Sequence, residues 1–119
     1  MKDEAKEWLE QAKKDLETAD YLLLGNKQNE TAFFAQQAAE KTLKAVQIEK
    51  LGKFDHTHDL VLLATSLHAP KKIIDACKTI NPSYFSTRYP DTKKFNSNDT
   101  RQILKLSKEV NEWSKQQMN

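Results

Sequence analysis

The strongest candidate for chemistry is the segment Thr-Arg-Tyr-Pro-Asp, which places Arg88 among aromatic residues. The guanidinium of Arg88 is a planar fork that can donate paired hydrogen bonds to a phosphate or a carboxylate. Tyr89, together with Tyr84 and Phe85 just before it, can stack on a nucleobase or on the guanidinium itself. Pro90 restricts Tyr89 to extended backbone and stiffens the segment. These residue types indicate a site for an anionic ligand.

The same segment also fits a structural role. Its aromatic rings could cover the open end of a helical bundle, with Arg88 paired to a carboxylate such as Asp15 or Glu40. Arginine serves equally well in ion pairs and in ligand sites. The residue types of this segment are compatible with both roles.

A polar strip runs along an otherwise alanine-rich segment. Gln36, Glu40 and Lys44 are four residues apart, so they share one face of a helix, and Gln37 and Lys41 lie beside them in the sequence. Such a strip either makes surface ion pairs or lines a groove between helices. We expect a solvent-exposed face, because exposed charge pairs are the commoner case, and a groove role is the alternative.

Two histidines, His56 and His58, lie between the acids Asp55 and Asp59. Histidine and carboxylate can ligate a metal, but histidines two residues apart do not share a helical face, and no further Cys or His cluster completes a tetrahedral set. Glycine loops that grip phosphates and nucleophile elbows are also absent from the sequence. We therefore predict no metal site, no catalytic residues of these kinds and no cofactor, and we place 57–59 in the first turn of a helix.

Length and composition predict a single domain covering residues 1–119. The 119 residues are 38% apolar and 30% charged, enough apolar content for one core. Two Gly and three Pro are too few for the many turns of an all-β fold. The net charge of +2, from 19 basic and 17 acidic residues, is too balanced to indicate a nucleic-acid partner by itself.

The single cysteine, Cys77, excludes an internal disulfide and fits a reducing compartment. Its position on an apolar helical face predicts a core residue. The amino terminus is charged, and no stretch approaches the length of a membrane span. We expect a cytoplasmic protein with no membrane partner.

Hydrophobic periodicity and punctuating Gly and Pro residues predict helices throughout. A first helix is expected at 3–24, closed by Gly25 in the left-handed conformation, and a second, central helix at 29–51 with a broad apolar arc. Two short helices should follow, the first capped by Thr57 or Asp55 and the second started by Pro70. We expect an ordered but irregular loop at 81–98. A last helix, capped by Asn98 or Ser97, should end near residue 117.

Four motifs make the chain resemble the HEPN family, the higher eukaryotes and prokaryotes nucleotide-binding domain. They are A-x-x-W-L-x-x-A-x-x-D-L-x-x-A at 5–19, AFFAQQAAEKTLKA at 32–45, T-H-D-L at 57–60 and R-Y-P-D at 88–91. They occur in the family's order and span nearly the whole chain. The resemblance implies an all-α, up-and-down four-helix bundle with an additional short helix.

The resemblance also implies two functions. Stand-alone members are often encoded beside a minimal nucleotidyltransferase, in toxin–antitoxin-like pairs, and were proposed to bind its nucleotide or other substrate. Other members are metal-independent ribonuclease toxins that act as homodimers, with an Arg followed after four to six residues by a His. No His follows Arg88 in this chain. Because His is the side chain best suited to acid–base catalysis near neutral pH, its absence there favours binding without cleavage.

The working hypothesis is a non-catalytic accessory protein, a homodimer, that pairs with a nucleotidyltransferase or binds a nucleotide or other substrate. Arg88, with Lys41 and His58, would contact a phosphate-bearing ligand or partner surface, while Asp15 and Glu40 orient these groups. The wide apolar arc at 35–46 also suggests more than one neighbour. The alternatives are a ribonuclease that uses His58 as an unconventional base, and a purely structural interaction domain.

Overall fold

Helices make up most of the described part of the chain, which comprises residues 1–92 and 94–119 of a computed structural model. Within these residues there is no β-strand. The expected all-α, up-and-down four-helix bundle with an additional short helix is confirmed. The helices are α1 (Asp3–Leu24), α2 (Gln28–Leu51), α3 (Leu60–Ser66), α4 (Lys71–Ile80), α5 (Ser83–Ser86) and α6 (Ser97–Gln117). None of them is long and apolar enough to serve as a membrane span.

Helix α2 is the centre of the fold, as expected. Its alanines let the backbones of neighbouring helices approach closely, and α1, α3, α5 and α6 all pack against it. Leu43 of α2 is fully buried together with Leu60, Leu63 and Ile80 from α3 and α4. The apolar arc at 35–46 is therefore covered within a single chain. It leaves no uncovered face, so this arc does not support dimerisation.

The first helix ends differently from the prediction. Gly25 has φ −88°, so it is not left-handed, and Asn26 adopts the left-handed conformation with φ 57°. Asn tolerates that region better than most residues with a side chain. At the end of α2, by contrast, Gly52 has φ 75°, and its N–H donates to the carbonyl of Ile48.

Helix α3 is capped by Asp59, so the expected caps Thr57 and Asp55 are wrong. The Asp59 carboxylate accepts hydrogen bonds from the backbone N–H groups of Val61 and Leu62. Asp55 instead pairs with Gln47 of α2 by two 3.0 Å hydrogen bonds, one through its side chain and one through its backbone N–H. The residues 57–59 therefore precede the helix, and they are not part of its first turn.

The cap of α6 is also displaced from the prediction. Asn96, and not Asn98 or Ser97, accepts a hydrogen bond from the N–H of Asp99, and the Asp99 side chain accepts one from the N–H of Asn96. This is a capping box, which satisfies two N–H groups at the helix start. The loop before it, expected to be irregular throughout, contains the single helical turn of α5.

The substitution Asn96→Ala should lower the free energy of unfolding by about 1 kcal/mol, because it removes the acceptor of the capping box. Asn98→Ala is the matched control, since Asn98 is exposed and lies inside α6. Urea unfolding followed by circular dichroism measures both. Equal midpoints for the two variants would contradict this assignment of the cap.

Candidate functional site

The buried carboxylate of Glu40 is the meeting point of the polar side chains around α2. Glu40 is only 6% exposed. Its two oxygens accept hydrogen bonds from Lys44 Nζ at 3.0 Å, from Gln36 Nε2 at 3.2 Å and from His58 Nδ1 at 3.1 Å. A buried carboxylate needs such donors, because leaving it without partners is very unfavourable. Gln37 extends the network by donating to Gln36.

Lys44 lies in an aromatic pocket and not in solvent. Its ammonium group is 5.9 Å from the ring centre of Trp8 in α1 and 5.4 Å from that of Phe54 in the segment after α2. A cation over aromatic faces gains electrostatic attraction when water is excluded. The expectation of a solvent-exposed polar strip is therefore wrong for Gln36, Glu40 and Lys44. The physical reason is that α2 is surrounded, so its polar side chains are covered by α1 and by the segment at 53–58.

His58 and Arg88 both contact the ring of Tyr84. The His58 and Tyr84 rings are stacked, with centres 4.2 Å apart and planes 17° from parallel. The Arg88 guanidinium lies over the same ring, 4.5 Å from its centre, and Nη1 donates a hydrogen bond to the Tyr84 hydroxyl. A continuous line of contacts thus connects the buried Glu40 to the exposed Arg88.

A cavity of about 590 Å³ opens beside these rings. His58, Asp59 and Asn81 line one part of it, and Tyr84 and Phe85 of α5 line another. The cavity therefore combines hydrogen-bonding groups with flat aromatic surfaces. Small-molecule sites in proteins are commonly of this size and mixed character.

Asp59 places a negative charge on the cavity wall. The hydrogen bond from Asn81 lowers its pKa below 3.8, and the N–H groups of Leu62 and Val61 act in the same direction, while partial desolvation opposes them. Because the pKa is lower in the folded state, this contribution to stability is present above pH 3.8 and is lost as the pH falls further. Asn81 also accepts a hydrogen bond from the N–H of Leu60, so it joins the loop to the start of α3.

Asp15 and Lys41 form a separate ion pair between α1 and α2. Lys41 Nζ lies 2.6 Å from an Asp15 oxygen, and Gln11 also donates to this carboxylate. Among the described residues, no hydrogen bond joins this pair to His58 or Arg88. Asp15 is paired with Lys41, but the structure does not bring Lys41 to the cavity beside His58, and the expected role of the pair in ligand binding stays a prediction.

Two other expectations concern the Arg88 segment. The suggested pairing of Arg88 with Asp15 or Glu40 is not observed, since Asp15 pairs with Lys41 and Glu40 contacts His58. Tyr89 is 52% exposed and lies at the surface beside Arg88. Its expected role in ligand binding stays a prediction.

The expected ligand-contacting set did not include Lys44 or Tyr84, although Tyr84 was named as a ring that could stack on the guanidinium and Lys44 as part of the polar strip. Tyr84 lies four residues before Arg88, a spacing that brings side chains together across a helical turn, so a signal for this contact was present. The spacing of Lys44 from Glu40 indicated their pairing, but no local pattern indicated the aromatic pocket, because Trp8 and Phe54 are not neighbours of Lys44 in the sequence.

Neither the cysteine nor a metal-binding cluster adds to the candidate site in the described part of the chain. Burial raises the pKa of the Cys77 thiol to about 12, with a smaller contribution from the charge of Asp59, which fits the expected core position. Among residues 1–92 and 94–119, no three His, Cys, Asp or Glu side chains are grouped so that they could hold a metal ion.

Comparisons with known proteins agree on one family. The model of the HEPN domain matches residues 5–117. The chain is similar to the crystal structure of TT1696 from Thermus thermophilus, with a TM-score of 0.89 and 25% identity over 98% of this chain and 99% of that one. It is also similar to ST0689, an archaeal HEPN homologue, with a TM-score of 0.85 and 26% identity over 100% of both chains. No curated protein matches the chain.

The substitution Glu40→Ala should lower the free energy of unfolding by roughly 3 to 5 kcal/mol, because it leaves the Lys44 ammonium buried without its acid. Adding Lys44→Met should restore part of this loss, since the unpaired charge is then removed. The control is Asp20→Ala, whose partner Lys108 is about half exposed; its effect should stay below about 1 kcal/mol. Equal losses for Glu40→Ala and Asp20→Ala in urea unfolding would show that the Glu40 network does not stabilise the fold.

Proposed function

Because the chain belongs to the HEPN domain family, we propose that it is a non-catalytic accessory protein that binds a phosphate-bearing ligand, such as a nucleotide, beside Arg88. The single observation that carries this proposal is the state of the Arg88 guanidinium. It is held by a neutral phenol, that of Tyr84, and it is exposed at the surface. Among the described residues, no carboxylate lies within ion-pair distance of it.

The Arg88 guanidinium can still donate hydrogen bonds to an anion. Arginine has five N–H donors, and the Tyr84 hydroxyl accepts from only one nitrogen. Stacking on Tyr84 limits the motion of the Arg88 side chain, so less conformational entropy is lost when an anion binds. A phosphate oxygen pair matches the two-pronged geometry of the group.

His58 supplies a second polar group against the Tyr84 ring that Arg88 also contacts. Its Nδ1 faces the Glu40 carboxylate, so Nε2 is left for a ligand, and the side chain is 52% exposed. Phe85 is 60% exposed and lines the same cavity. An exposed aromatic ring beside a cation suits a base attached to a phosphate.

The absence of a His after Arg88 supports binding without cleavage. The HEPN ribonuclease motif requires that His, and metal-independent RNA cleavage requires groups that take up and release protons. Homodimerisation and pairing with a minimal nucleotidyltransferase belong to the same proposal. Family membership is their support; the structure of this single chain supplies no contact that bears on them.

Substituting Arg88→Gln should weaken nucleotide binding about tenfold or more, because a charge-assisted hydrogen bond to phosphate is lost. Arg101→Gln is the matched control, since Arg101 is the other arginine of the chain and lies on α6. Isothermal titration with ATP, GTP and inorganic phosphate measures both variants. Absence of binding to all three probes, or equal weakening by the two substitutions, would contradict the proposal.

Ribonuclease activity is a second candidate, favoured by one observation. A histidine that is hydrogen-bonded to a carboxylate, His58 with Glu40, lies on the same ring as Arg88. Carboxylate–histidine pairs act as general bases in many enzymes. Incubation of the protein with single-stranded RNA should give no cleavage if the protein only binds. Cleavage that disappears in both His58→Ala and Arg88→Ala would reverse the order of the two functions.

A further inference from the structure

A larger cavity lies between α1, the start of α4 and α6, with a volume of about 680 Å³. It shares no lining residue with the cavity beside His58. Its floor is apolar and consists of Leu23 from α1, Ile73 from α4, and Leu104 and Trp113 from α6. We call this cavity the α6 groove.

The shape of the α6 groove follows from the packing of the helices. Helix α1 packs mainly along α2, and α6 packs on α2 and α4, so α1 and α6 meet only over a short length. The lining residues of α6 extend from Arg101 to Gln116, which is about 22 Å at the rise of an α-helix. This length suits about four turns of a helix better than a small molecule.

Positive charges gather at one end of the groove. Arg101, Lys105 and Lys108 are four and three residues apart, so they share one face of α6, and Lys72 of α4 lines the groove beside them. Lys108 pairs with Asp20 at 2.7 Å. For the other three cations, no carboxylate of the described residues lies within ion-pair distance.

Negative charges lie toward the other end of the groove. Glu109 and Glu112 line it there, and Glu112 is 3.6 Å from Lys115. The unpaired charge is therefore positive near the start of α6. Arg101 and Lys105 are like charges one helical turn apart, which repel each other, so an acidic partner would relieve this repulsion as well as gain attraction.

We propose that the α6 groove is a docking site for an amphipathic helix of a partner protein that carries acidic residues. Its apolar face would cover the partly exposed side chains of Leu23 and Trp113, and its acidic residues would face Arg101 and Lys105. An amphipathic helix laid in an apolar groove is a recurrent mode of peptide recognition. Nucleic acid fits less well, because the apolar floor offers nothing to a phosphate backbone. The proposal does not depend on the nucleotide site.

The test uses two fluorescein-labelled helical peptides of about four turns. Both carry Leu along one face, and one has Glu on the flanking positions where the other has Lys. Fluorescence anisotropy should show that the acidic peptide binds and that Lys105→Glu weakens binding about tenfold or more. Lys53→Glu is the control, because it changes the net charge equally and Lys53 lies in the exposed segment after α2. Arg88→Gln should leave peptide binding unchanged, which separates this test from that of the nucleotide site.

Several results would overturn the proposal. These are no binding of the acidic peptide, equal binding of the basic peptide, and equal weakening by Lys105→Glu and Lys53→Glu. Binding of single-stranded RNA that Lys105→Glu abolishes, with no peptide binding, would assign the α6 groove to nucleic acid instead. Dissociation of a dimer by Lys105→Glu in analytical ultracentrifugation would assign it to a second copy of this chain.

Discussion

The buried carboxylate of Glu40 imposes the constraint on which the candidate site depends. A carboxylate in this position must accept several hydrogen bonds, or its burial would oppose folding. Two of its donors, Gln36 and Lys44, come from α2 itself, at the same spacing before and after it. The third, His58, comes from the segment before α3. Because the buried Glu40 carboxylate needs hydrogen-bond donors, it fixes the position of His58, which lies outside the helices.

The consequences pass outward from His58 by contact. Its ring supports Tyr84 of α5, and Tyr84 in turn supports the guanidinium of Arg88. The segment that carries Arg88 is thus held in place by a chain of polar and aromatic contacts that leads back to the buried Glu40. Lys44 also holds the Glu40 carboxylate in place. Its aromatic neighbours Trp8 and Phe54 exclude water from the ion pair that it forms with Glu40. Orientation of a surface arginine is therefore linked to the core.

Much of the fold was predictable from the sequence, because it depends on local signals. The periodicity of apolar residues gave the first helix its correct bounds, 3–24, and placed α2 at the centre. The caps of α3 and α6 were predicted within a few residues, but Asp59 and Asn96 were missed. Several neighbouring polar side chains are equally good caps by residue type, and tertiary contacts decide which one is used. Asp55, for example, does not cap α3 because it is hydrogen-bonded to Gln47.

The site was less predictable, for a different physical reason. A helical wheel assigns Glu40 and Lys44 to solvent, since it contains no information on which other segment covers that face. The contact between Glu40 and His58 joins residues 18 apart, and no local pattern indicates it. The residue types were still informative. Arg88 and His58 were identified as candidates, and the structure connects them through Tyr84, whereas Lys41 lies in a separate ion pair with Asp15.

The most direct test of the central claim is the proton position on the neutral form of the His58 ring, measured by long-range ¹H–¹⁵N NMR. A carboxylate can only accept, so Nδ1 must carry the hydrogen that faces Glu40, and Nε2 must be free of one. The account predicts this tautomer in the native protein and its loss in Glu40→Ala. A native ring with the hydrogen on Nε2, or a spectrum that Glu40→Ala leaves unchanged, would contradict the dependence of the site on Glu40.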